Sequence, residues 1–108
     1  MLDISTAKIV RIIFLSREYG PDSVHLTDYI SGLNEDEQVS LVALMWIGRE
    51  SFDASDLDEA KATARIEATA PTEQYLSGIP DLGELLESGM EALGIDVTDA
   101  EDHFRQDN

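Results

Sequence analysis

The sequence predicts an all-α fold, a compact orthogonal or irregular bundle of five to six helices. Three observations predict it. Two segments, residues 9–15 and 39–47, become apolar on nearly every side when wound as helices, so other helices must cover them in water. The segments around them carry apolar residues at helical spacings. Residues that start and stop helices stand at most of the segment ends.

Helix one is expected from Ala7 to Tyr19, after the capping candidates Ser5 and Thr6 and before Gly20-Pro21. Its Ile9, Val10, Ile12, Ile13, Phe14 and Leu15 also suit a strand, because β-branched residues favour sheets. The caps and the length of the segment decide for a helix. A short second helix follows over 24–33, with Leu26, Tyr29, Ile30 and Leu33 at helical spacing. Asn34 with Glu37 then forms a capping box, and Glu35, Asp36 and Glu37 sit where the helix dipole favours anions. That third helix runs to Gly48. Ser55 is the expected cap of a fourth helix from Asp56 to about Ala68, whose Leu57, Ala60, Ala64 and Ala68 share one face. Pro71 opens a brief helix over 73–77, and a leucine-rich helix from Asp81 to Leu93 stops at Gly94. Residues 1–95 therefore make one helical domain. Residues 96–108 form an acidic tail expected to fray, although Thr98 and Glu101 offer a cap for one further turn.

Composition narrows the function. The chain of 108 residues carries 23 acidic and 7 basic side chains, a net charge of −16. Such a surface repels phosphate backbones and anionic lipids, so no nucleic-acid and no membrane partner is expected. Neither apolar run approaches the roughly 20 residues that span a bilayer. Lys8 and Arg11 interrupt the N-terminal apolar stretch, no secretory cleavage pattern follows, and a cytoplasmic location is expected. With no cysteine, disulfides and thiolate metal sites are excluded. His25 and His103 lack metal-ligand spacing, and Asp53, Ser55 and Asp58 lack the glycine and glutamate offsets of a calcium loop, so no metal and no cofactor is expected. No phosphate cradle or nucleophile motif is present.

Two stretches carry a family resemblance: LNEDEQVSLVALMWIGRE at 33–50 and QYLSGIPDLGELLESGMEALG at 74–94. They resemble a bacterial family catalogued as domain of unknown function 3775. Its pattern of Leu-Asn-x-Asp-Glu-Gln falls here on 33–38, its Leu-Val-Ala-Leu-x-Trp-x-Gly-Arg on 41–49 and its Tyr-Leu-x-Gly-x-Pro on 75–80. This chain departs at Glu50, where the family often has glycine, and at Glu84, where it has an aromatic residue. The resemblance implies a fold and no activity.

The candidate ligand-binding residues are Arg49, Trp46, Tyr75 and Glu37. Trp46 and Arg49 lie three residues apart on one side of a helix, and Arg49 is one of four cations after Gly20. In so negative a field a lone arginine either pairs with a nearby carboxylate or stays open for an anion. Trp46 is expected in the core, and Tyr75 is expected to pack its ring and expose its hydroxyl. A site, if formed, lies where Arg49, Tyr75 and Glu37 converge. The leading functional expectation is a non-enzymatic protein-interaction module that offers a partner an apolar groove, or self-associates as a homodimer through helix one. The alternative is a small-ligand (anion) binding domain or small enzyme with Arg49 as anchor and Glu37 as base. A basic protein drawn to the acidic surface is a third reading.

Overall fold

Serine and asparagine side chains set where the first three helices begin. Ser5 accepts from the Lys8 N–H and starts α1 (Thr6–Tyr19); Ser23 accepts from the Leu26 N–H and starts α2 (Val24–Ser31). Asn34 and Glu37 bond to each other's backbone N–H at 2.8 and 3.0 Å, the reciprocal capping box that opens α3 (Glu35–Gly48). A 3-10 turn at Ala54–Asp56 leads into α4 (Leu57–Glu67), followed by α5 (Thr72–Ser77) and α6 (Leu82–Ala92). The computed structural model describes residues 2–68 and 70–95, and among these there are six α-helices and no strand. The expected frayed tail and the extra turn at Thr98 lie outside the described residues.

The start of α4 differs from expectation. Ser55 lies inside the 3-10 turn and makes no capping bond; Asp56 stands at the N-cap position, also without a side-chain bond. The tighter turn satisfies part of the first-turn geometry with a backbone bond instead, Asp56 N–H to the Asp53 carbonyl at 2.9 Å.

α3 is the central rod, with every residue from Val39 to Ile47 buried. α6 covers it most extensively and α4 next, while α1 packs on α6 and α2, and α2 on α5. The seam between α3 and α6 is a backbone contact made by two glycines. A Cβ on Gly48 would sit 2.7 Å from the Leu85 carbonyl carbon and nearer still to its oxygen, and one on Gly89 would sit 2.9 Å from Leu44 Cδ1. α1 buries Ile9, Val10, Ile12, Ile13 and Leu15, but Phe14 is 51% exposed, so this helix is covered on all but one narrow face within a single protomer.

Glu50 takes a left-handed φ of 66° directly after α3. The Glu50 N–H donates to the Ile47 carbonyl and the Ser51 N–H to the Trp46 carbonyl, the paired bonds of a Schellman stop. A glycine fits that conformation without strain, which gives a physical reason for the glycine in the family pattern at this position.

The N-terminal residues are tied to the rod by polar contacts. The Asp3 N–H donates to the buried Ser40 Oγ at 2.8 Å, and the Asp3 carboxylate pairs with Lys61 of α4 at 2.8 Å. Lys8 of α1 pairs with the buried Glu37 of α3.

Candidate functional site

Along α3, Val39, Val42 and Trp46 recur at helical spacing on the side turned toward α4 and α5. Ala64 and Ala68, one turn apart, present only methyl groups opposite them, so the helices leave a trough between them. Ala70, Thr72 and Tyr75 close one side and Glu67 stands on the α4 side. The result is a half-open cavity of about 230 Å³, mostly apolar. An apolar cavity of about 150 Å³ already admits benzene, so this one has room for a large side chain or a small organic molecule. It is too small for the apolar face of a whole helix.

Trp46 and Tyr75 fix its aromatic wall. The indole Nε1–H donates to the Tyr75 hydroxyl at 3.0 Å, and Phe52 stacks on the indole with ring centres 5.7 Å apart. Trp46 is 8% exposed and Tyr75 39%. With one ring held by Phe52 and both joined by the hydrogen bond, the two aromatic side chains are fixed relative to each other.

Glu67 lines the groove and has no ion-pair or hydrogen-bond partner among the described residues. The cations of α4 are engaged elsewhere: Lys61 by Asp3, and Arg65 by Asp36 at 2.6 Å with Glu35 at 3.9 Å. The Asp36 and Glu35 carboxylates beside Arg65 raise the affinity of its guanidinium for its proton.

Of the four candidate residues, the structure brings together Trp46 and Tyr75. Arg49 is exposed at the end of α3, does not line the groove, and donates from Nε to Ser51 Oγ at 3.1 Å. Among the described residues no carboxylate lies within ion-pair distance of Arg49, and Arg49 is not among the residues that line the groove with Tyr75. Glu37 sits at the opposite end of α3, about 18 Å away along the axis at 1.5 Å per residue. There Lys8, and then the Asn34 N–H, hold its carboxyl below the usual glutamate range. A carboxylate so held is a poor base. His25, on α2, is exposed, does not line the groove, and lies against the Tyr19 ring. No group of three potential metal ligands occurs among the described residues.

Glu67, Ala64 and the valines of the groove were not legible as site residues from the sequence. Val39 and Val42 read as core of an all-apolar helix, and Glu67 as one carboxylate among many.

Fold and site together define a helical domain with a preformed, mostly apolar groove between α3, α4 and α5. The model of a family described as a protein of unknown function, DUF3775, matches residues 23–95, and the chain belongs to that family. No curated protein and no solved structure matches it.

Proposed function

We propose that this domain is a non-catalytic protein-interaction module whose working surface is the groove between α3, α4 and α5. The observation that supports this is the preformed aromatic and aliphatic trough itself, with Trp46 and Tyr75 bonded to each other and Glu67 its one ionised lining group. The cavity volume suits one large side chain of a partner, inserted as an anchor. Trp46 is the sole tryptophan, so the emission comes from one wall of this groove. Titration with short peptides that present a single long side chain, followed by Trp46 fluorescence and backbone amide shifts, tests the reading. Saturable binding that Ala68→Leu abolishes by filling the trough, without a change in melting temperature, supports it. Shifts that persist in Ala68→Leu, or no shifts with any peptide, refute it.

A second reading attaches to Arg49, because its guanidinium has only Ser51 as a partner among the described residues. In that reading the end of α3 binds a small anion, without Glu37, which Lys8 occupies at the far end of the helix. Thermal stabilisation by inorganic phosphate that disappears in Arg49→Ala supports an anion site; equal melting with and without phosphate removes it.

A further inference from the structure

We propose that the side chain received by the groove is a lysine from a basic segment of the partner. This rests on the reading of the groove as a protein-binding site and specifies its occupant. The groove has two chemical parts that no single apolar or single charged side chain matches. Its floor is aliphatic, from Val39, Val42 and Ala64 with the exposed Ala68 at the rim, and its one ionised lining group is Glu67, whose carboxylate has no partner among the described residues. Lysine has the same division, four methylenes ending in a compact cation. Its stem removes apolar wall from water while the ammonium takes the carboxylate as acceptor, a charge-assisted bond stronger than a neutral one. The Tyr75 ring, 39% exposed and lining the same groove, offers a second favourable surface to an ammonium.

The choice of lysine over arginine rests on the apolar part of the groove: lysine brings four methylenes to arginine's three and ends in a compact ammonium, while either cation can take the Glu67 carboxylate. The surrounding field favours a basic segment over an acidic or neutral one. Beyond Gly20 the chain carries 21 acidic and 4 basic residues, so a cationic partner is drawn in and an anionic one repelled. Both local cations on α4 are already paired and do not compete for Glu67.

The test compares two peptides of glycine and serine, one with a central lysine and one with norleucine in its place, which keeps the methylenes and removes the charge. Binding is read by Trp46 emission at low and high sodium chloride. The expected result is an affinity about tenfold greater for the lysine peptide, as a charge-assisted bond supplies. High salt and Glu67→Gln are each expected to reduce that difference to about twofold or less by weakening the same bond. Equal binding of the two peptides, still blocked by Ala68→Leu, overturns the lysine assignment and leaves the groove reading standing. A lysine preference that survives Glu67→Gln overturns it as well. Failure of both peptides to bind overturns the assignment and the groove reading together.

Discussion

Replacing Gly48 by alanine tests whether the contact between α3 and α6 sets the stability of the bundle. In a helix this substitution ordinarily stabilises, by about 0.5–1 kcal/mol, because alanine loses less backbone entropy. Here the new Cβ would lie 2.7 Å from the Leu85 carbonyl carbon and 3.0 Å from the Gly89 nitrogen, against 3.4 Å for ordinary contact. The atoms it meets belong to the backbone of α6 and cannot rotate away. The helix must therefore retreat by at least 0.7 Å, the difference between 3.4 and 2.7 Å, along the seam that holds Leu44, Leu86 and Met90. Overpacking of this kind costs about 1–3 kcal/mol, and a backbone clash belongs at the upper end. Set against the propensity gain, the net loss is about 2 kcal/mol, or roughly 8–16 °C in melting temperature for a domain of this size. Gly78→Ala is the control, since its nearest atom, the Tyr75 carbonyl oxygen, is 3.7 Å away. Thermal unfolding followed by circular dichroism decides. If Gly48→Ala melts at or above the parent temperature, the two helices do not meet at these glycines and the seam is misdescribed.

Three other expectations follow from the polar contacts, the helix ends and the charge. Lys8 and the Asn34 N–H lower the Glu37 carboxyl below its ordinary value of 4.5, so its contribution is complete above that pH and is lost as pH falls through the lowered folded-state value. Glu37→Gln retains the capping acceptor and removes this ionisation, so its melting temperature is expected to fall less steeply in acid than that of the parent; parallel acid limbs would assign no role to the pair. Glu50→Gly relieves the left-handed strain at φ 66° and is expected to stabilise by about 0.5–1 kcal/mol, the strain of a non-glycine residue less the entropy of glycine. Unchanged urea midpoints would contradict it. Moderate sodium chloride is expected to raise the melting temperature, because screening relieves repulsion among the surplus carboxylates of a −16 chain more than it weakens the few ion pairs. A flat response between low and moderate ionic strength would show that those charges are locally neutralised.

Local chemistry made much of the fold readable in advance. Ser5, Asn34 and Glu37 announce helix starts within four residues of themselves, and apolar groups all round 39–47 require a buried rod wherever its neighbours fall. Ser55 has the chemistry of a cap but lies inside the 3-10 turn that precedes Leu57, where a backbone bond from Asp56 to Asp53 takes the place of a side-chain cap. Phe14 likewise reads as core by type, and is exposed because α2 and α6 cover only the other faces of α1.

The groove belongs to the second category. Trp46 and Tyr75 are 29 residues apart, as are Lys8 and Glu37, and nothing in either local stretch specifies the other. Sequence alone established which segments are helical, that the 39–47 rod must be buried and how negative the surface is, because capping, periodicity and charge act over a turn or act as sums. Tertiary structure decided that Trp46 meets Tyr75, that Arg49 bonds to Ser51 and does not line the groove, and that Glu67 borders a trough floored by valine and alanine. Those outcomes depend on how closely helices approach, which is set by packing across the whole core and not by any one segment.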